Sequence, residues 1–244
     1  MFRLVLSYDG TDYAGWQTQP DVPTVQRLLT DTARDLLGPA ARVTGASRTD
    51  AGVHALRQTV SLSAETGLDP AAIQGALNAA LPPAVRVVSA TLAGPDFNAR
   101  RAAVGKRYAY LVDNGAIPSP LLRRFAWHVP VPLDVLAMRR GLAALRGRHD
   151  FTGFCAAAGR AQPPVCVVRA LHVVRKKRLI GLFISADRYL HHMVRNIVGS
   201  AVAVGRGARE PAWLAEVLAS GDRRLAGPTA PAHGLVLVRA LYPK

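Results

Sequence analysis

The chain has 244 residues, 50% hydrophobic and 19% charged, long and apolar enough for one or two folded domains and unlike a disordered chain. Its formal net charge is +15, unevenly placed: residues 1–103 carry 9 Lys and Arg against 9 Asp and Glu, and residues 104–244 carry 22 against 7. There is no charged leader with an apolar core and no apolar run near ~18 residues, so neither a signal peptide nor a membrane span is expected, and the chain reads as soluble and cytoplasmic. Cys155 and Cys166, two thiols in this length with no Cys-x-x-Cys spacing, read as small buried hydrophobes rather than a bridge or metal ligands. The localised basic excess predicts a polyanionic partner, held and steered through phosphate contacts.

Phe2 to Tyr8 alternates in period two and reads as a strand. Thr24 precedes Val25, Leu28, Leu29, Ala33 and Leu36 at helical spacing, with Gly38-Pro39 as a stop, which predicts a helix over 25–37. Short strands are expected at 42–46 and 58–63, a helix capped by Asp69 from Pro70 to Asn78, and a strand over 85–92. Past a turn-rich link at 94–101, the order recurs. Residues 106–112 form a strand with Tyr108 and Tyr110 on one face, Asp134 caps a helix over 135–145, and 165–174 with 179–186 make a hairpin around Arg175-Lys176-Lys177-Arg178. A helix over 189–204, another from Pro211 to Gly221, and a last strand over 235–241 complete the chain. The expected fold class is therefore α+β: two successive split β-α-β (ferredoxin-like) units with mainly antiparallel sheets and helices on one face. Residues 1–103 form the N-terminal half, residues 104–244 the basic C-terminal half, and the active-site cleft is expected between them.

The stretch SRTDAGVHAL at 47–56 holds an Arg, an Asp and a His around a glycine between apolar segments. Asp50-Ala51-Gly52 by itself is a turn, with Gly52 supplying a positive φ and Asp50 bonding its own backbone. Such a turn does not need Arg48 and His54 beside it. Two residues apart in an extended segment, Arg48 and Asp50 emerge on the same side, so an Arg and a carboxylate reach the sheet rim together. Other chemistries fit less well: the His-x-Glu and Pro-Cys-x-x-Cys of zinc deaminases, a Gly-x-Ser-x-Gly elbow and a phosphate loop are absent from the sequence. His191 and His192, placed on the predicted helix, should diverge by about 100° and so fail as a metal pair. A metal-dependent nuclease using Asp9, Asp12 and Asp50, and a catalytically silent RNA-binding protein, stay open at this point.

Six segments in register then carry a resemblance: SYDGTDYAGWQTQP at 7–20, SRTDAGVHAL at 47–56, DFNARRAAVGKRYAY at 96–110, DFTGF at 150–154, HHMVRNIVG at 191–199 and HGLVLVRALYP at 233–243. Together the chain resembles the tRNA pseudouridine synthases of the A type over its whole length. The resemblance implies a cofactor-free, metal-free isomerisation of uridine, with uracil detached from C1′ and rejoined through C5, at positions 38 to 40 of the tRNA anticodon arm. It implies Asp50 as the indispensable aspartate, Arg195 as its cationic partner, Tyr108 packed on the target base, Arg48 in base flipping, and Leu235 lining the base pocket. A carboxylate can act here as a nucleophile, at uracil C6 or ribose C1′; it must be ionised, so a nearby cation is required. Arg100, Arg101 and the turn Arg175, Lys176, Lys177, Arg178 are candidate phosphate contacts, since A-form RNA is read by shape and backbone. The resemblance also implies a homodimer with tRNA spanning both subunits.

The chain departs from that pattern twice. Ser47 stands where a glycine is usual, and Ala186-Asp187-Arg188-Tyr189 replaces a smaller, more apolar approach to His191, adding charge beside the cleft.

Overall fold

The computed structural model describes residues 1–157 and 163–243. In chain order the elements are β1 (Phe2–Tyr8), α1 (Val25–Leu37), β2 (Arg42–Gly45), β3 (His54–Ser63), α2 (Pro70–Ala80), β4 (Val85–Leu92), β5 (Gly105–Asp113), β6 (Trp127–His128), α3 (Val135–Ala143), β7 (Gly147–Asp150), β8 (Val165–Lys176), β9 (Leu179–Ala186), α4 (Met193–Gly205), α5 (Trp213–Ser220) and β10 (Leu235–Leu241). The class is mixed α+β with mostly antiparallel pairing, as the periodicity implies. Contacts divide the chain into two compact units, residues 1–104 with 236–244, and residues 105–235. Chain order groups the last strand with the second half. Its residues Val236 and Leu237 instead pair in parallel with His54 and Ala55 of β3, because the open edge at the start of β3 offers unpaired backbone groups.

In the first unit, β1 lies between β3 and β4 and is antiparallel to both, while β2 pairs with the outer side of β3 at residues 60–63. Thr24 caps α1 by accepting the Arg27 N–H at 3.4 Å, and Gly38, at φ 93°, ends it where a side chain would be strained. Asp69 accepts the Ala72 N–H at 2.8 Å, and Pro70 fills the first helical position of α2, which needs no donor there. The helices bury Val25, Leu29, Ile73 and Leu77, each contributing about 1.5–3 kcal/mol. Leu4, Val5 and Leu6 are all buried, so β1 is covered on both faces rather than one as its alternation predicts.

The second unit carries the strand order β5-β9-β8-β7, antiparallel throughout, with β6 added in parallel to the end of β5. Asp134 caps α3 through the Leu136 and Ala137 N–H groups at 2.8 and 2.9 Å. Among the described residues, helix α4 is almost wholly buried along its length, including the polar Asn196 and Ser200. Cys155 and Cys166 are both buried, and burial pushes the Cys166 thiol up to about 11.

Several boundaries move. β3 begins at His54, four residues before the expected start, since Tyr8 pairs with Ala55 after a bulge in β1. α2 runs two residues further, to Ala80, and α3 stops at Ala143. α4 begins at Met193 rather than 189: His192 sits at φ 60°, which interrupts the helical path. The divergence of His191 and His192 expected from a helix is therefore not realised. Their rings stack, with centroids 3.9 Å apart and planes at 28°, so the argument from helical divergence does not stand.

Candidate active site

The turn bearing Asp50 is held from several sides within the first unit. Ser47 and Thr49 are buried while Arg48 is exposed and Asp50 half-buried, an alternation that puts Arg48 and Asp50 on one side of an extended stretch. Ser47 is tied by both backbone groups to Gln58, accepting from Nε2 at 2.6 Å and donating to Oε1 at 3.1 Å. Its φ is not positive, so the position does not require glycine, and serine is accommodated without backbone strain. Thr49 meets the Tyr8 hydroxyl at 2.8 Å, and its carbonyl accepts the Trp16 N–H at 3.0 Å. Gly52 adopts φ 73° as the turn requires and donates to the Tyr13 carbonyl at 3.2 Å; the Val53 N–H donates to the Asp50 carbonyl at 3.1 Å. The Asp50 backbone, not its side chain, thus closes this turn bond.

Trp16, 2% exposed, anchors the preceding loop. Its indole lies against Gly45, where a Cβ would come within 2.4 Å, and its ring stacks on Tyr8 at 6.1 Å. Arg100 and Arg101 are exposed on a turn where Asn98 Oδ1 accepts both of their N–H groups at 3.0 Å. That turn follows Ala99 and Phe97, which pack with Ala46, Ala240 and Tyr242, so it stands close to the start of the 47–54 stretch. Tyr242 locks it by donating to the Ala99 carbonyl at 2.8 Å, and Arg3 stacks over Tyr242 at 4.7 Å.

The second unit assembles another group. Arg195 is fixed by the segment after α5: its Nε donates to the Ala230 carbonyl at 2.7 Å, and its own carbonyl accepts the Ala230 N–H at 3.1 Å. Asn196 ties the same segment to the helix, with Arg223 and Thr229 donating to its Oδ1 at 3.0 and 2.7 Å while its Nδ2 donates to the Phe154 carbonyl at 2.7 Å. Ser200 accepts the Gly227 N–H at 2.8 Å, and Gly199 allows Pro228 to approach so closely that a Cβ would collide with its carbonyl at 1.7 Å. Sequence reasoning missed this cluster, although Asn196 and Ser200, polar in a helix otherwise apolar apart from Arg195, were its visible signal. Further along, Tyr110 donates to the Pro231 carbonyl at 2.7 Å and its ring packs on Gly234, which delivers the buried Leu235 at the start of β10. Burial holds the Tyr110 hydroxyl far above the ordinary tyrosine range, opposed by the charge of Arg195. Tyr108, 6% exposed, lies two residues before Tyr110 on the same face of β5.

The departure in the second unit, Ala186-Asp187-Arg188-Tyr189, is structural. The Asp187 carboxylate accepts the Val167 N–H at 2.8 Å and the Arg188 N–H at 2.7 Å, closing the β8–β9 pairing rather than standing as a loose charge. Tyr189 packs its edge against Tyr108 at 5.0 Å and donates to the Ile184 carbonyl at 2.9 Å; burial and then the neighbouring Tyr108 raise its pKa.

The basic turn lies elsewhere. Arg178 grips Asp113 with Nε and Nη2 at 2.6 and 2.7 Å, and Arg175 donates to Asn114 Oδ1 at 2.8 Å and the Leu133 carbonyl at 3.0 Å. Burial works against the charge of Asp113, but bonds from Arg178, Ser119 and Gly115 prevail and lower its pKa. Asp113 is five residues along β5 from Tyr108, roughly 17 Å at ~3.4 Å per residue, so the turn and the tyrosine are not brought together. Lys176 and Lys177 are exposed at the tip.

Comparison with known proteins agrees with this arrangement of motifs. A family pattern described as tRNA pseudouridine synthase matches residues 4–100 and 142–243. A tRNA pseudouridine synthase A from Myxococcus xanthus is 45% identical over 241 residues, 98% of this chain and 91% of that protein. The protein of the same name from Moorella thermoacetica is 40% identical over 98% of both chains, and that from Methylobacterium nodulans 41% over 100% and 96%. With identity at this level from end to end, the chain belongs to the tRNA pseudouridine synthase A family, isomerases that convert uridine in tRNA to pseudouridine.

Proposed function

We propose that this chain isomerises uridine at positions 38 to 40 in the anticodon arm of tRNA, with Asp50 as the nucleophilic carboxylate and without a cofactor. The observation that carries the reading is the Asp50 turn: a half-buried carboxylate beside an exposed arginine, on a backbone held by Ser47, Thr49 and Gly52. Such a group is pre-oriented before substrate arrives, which is where enzymes gain much of their rate. Asp50 attacks the unstacked uridine at uracil C6 or ribose C1′, the N1–C1′ bond breaks, uracil turns and bonds C1′ through C5, the bond to Asp50 is released, and the proton lost from C5 is balanced by the one taken up at N1. The reading gives Arg195 the part of keeping Asp50 ionised, since an opposite charge nearby favours the carboxylate. Its guanidinium is held by the Ala230 carbonyl, which supports a fixed position for that charge. Tyr108 stacks on the base with Leu235 beside it, and Tyr189, edge-on to Tyr108, sets the orientation of that ring. Arg48, exposed next to Asp50, fills the gap that the extruded base leaves in the stack, an extrusion costing a few kcal/mol.

Phosphate contacts along the arm are assigned to Arg100, Arg101, Lys176 and Lys177, all exposed, with Arg175 and Arg178 shaping the turn that presents the two lysines. The same reading makes the protein a cytoplasmic homodimer whose units are each a split β-α-β fold. The test is incubation of an unmodified tRNA transcript with the protein, followed by uracil-specific carbodiimide mapping. New adducts in the anticodon arm with the native chain, and none with Asp50→Ala, are the expected result. Modification that survives Asp50→Ala, or falls only outside the anticodon arm, overturns the reading.

A further inference from the structure

His54 is the member of the 47–56 stretch to which the proposed chemistry gives no part. It opens β3 four residues past Asp50 and is 3% exposed. Its Nδ1 accepts the Gly10 N–H at 3.0 Å and stands 3.1 Å from Asp9 Oδ1. That same carboxylate oxygen accepts the Thr11 N–H at 3.0 Å and the Thr11 hydroxyl at 2.5 Å, so Asp9 already has donors of its own. Toward Gly10 it is the lone pair of Nδ1 that receives the hydrogen bond. At its δ position His54 therefore works as a hydrogen-bond acceptor.

The contact sits at one end of a grip on the Asp50 turn. Gly10 lies so close that a Cβ would come 2.1 Å from the Val53 carbonyl oxygen. At the other end Gly15, at φ 99°, leaves a Cβ only 2.7 Å from the Thr49 oxygen, and Trp16 donates to that same carbonyl. Between them the Tyr13 carbonyl accepts from Gly52. Residues 10–16 thus hold residues 49–54 on both sides of Asp50.

We propose that His54 is a positioning residue: by accepting the Gly10 N–H it keeps segment 9–16 seated on the turn and so sets where the Asp50 carboxylate stands. The inference rests on the reading of Asp50 as the reacting group. A shift of that carboxylate by about 1 Å is enough to cost roughly 10²-fold in rate.

The experiment compares His54→Asn, whose amide oxygen keeps an acceptor at the δ position, His54→Gln, which moves it toward the ε position, and His54→Leu, which has none. Each is assayed with Asp50→Ala for kcat, KM and tRNA affinity on an unmodified transcript, at a temperature where melting curves show it folded. Expected is a fall in kcat of roughly 10²-fold for Leu and Gln, with tRNA affinity within about threefold of the native chain, and recovery of at least about tenfold of that loss in Asn. Where the Leu variant does not fold, the Asn and Gln pair decides. Equal kcat for Asn and Gln, or losses confined to tRNA affinity, overturns the proposal. An inactive Asp50→Ala beside fully active His54 variants removes the positioning role alone, whereas an active Asp50→Ala removes the reading of Asp50 and this inference with it.

Discussion

The turns at 47–54 and 175–178 are both rich in charge, and they treat it in opposite ways. In the first, neutral groups hold the backbone: Gln58, Thr49, Trp16 and Tyr13 make the bonds, and Arg48 and Asp50 are left on the open side. In the second, arginines do the holding, Arg178 on the buried Asp113 and Arg175 on Asn114 and Leu133. A charged residue near a turn is thus either a fastening, as Arg175 and Arg178 are, or a tool carried on a backbone that neutral groups hold, the part proposed for Arg48 and Asp50.

Removing the tool should have the largest effect. Asp50→Ala is expected to lower kcat by roughly 10³-fold or more while leaving the melting temperature and tRNA affinity nearly unchanged, checked by single-turnover assay, calorimetry and filter binding. Comparable loss of stability would place Asp50 with the fastenings instead.

Removing the fastening should read out as stability. Arg178→Ala strands the Asp113 carboxylate, which has 2% side-chain exposure; because Arg178 itself is 40% exposed, the loss is about 2 kcal/mol, below the range for fully buried pairs. Urea unfolding measures it. The native pair also makes stability pH-dependent. Asp113 is more acidic when folded, so its contribution is complete above the ordinary carboxylate pKa and is lost as pH falls through the lower folded value. That acid-side loss should vanish in Asp113→Asn; an unchanged pH profile would detach the pair from stability.

The smallest effect is expected at the exposed tip. Lys176→Gln with Lys177→Gln should weaken tRNA binding a few-fold and reduce the slope of log affinity against log salt by up to about 2, with no change in unfolding. An unaltered slope would mean that these two lysines face only solvent.

Elements whose signals are local were legible in the chain. Both ends of α1 match because Thr24 and Gly38 punctuate it, and the β8–β9 hairpin follows from two apolar runs around a short charged turn. β6 and β7, two and four residues long, were not legible, since such strands are defined by the partner they meet. Leu190 continues the apolar spacing of α4 and suggests an earlier start, which the left-handed His192 prevents. At the site, the Asp50-Ala51-Gly52 turn and its positive φ could be read directly, while the grip of residues 10–16 and the hold of Ala230 on Arg195 could not.

The sequence by itself determined the family, the alternation that presents Arg48 with Asp50, and the caps that bound the helices, because each is carried by residues within a few positions of one another. Tertiary structure alone decided which cations are engaged and which are exposed, where β10 pairs, and what His54 touches. Those outcomes depend on backbone groups brought together across long chain separations, such as Gly10 with His54 and Asp113 with Arg178, and no local pattern encodes such a meeting.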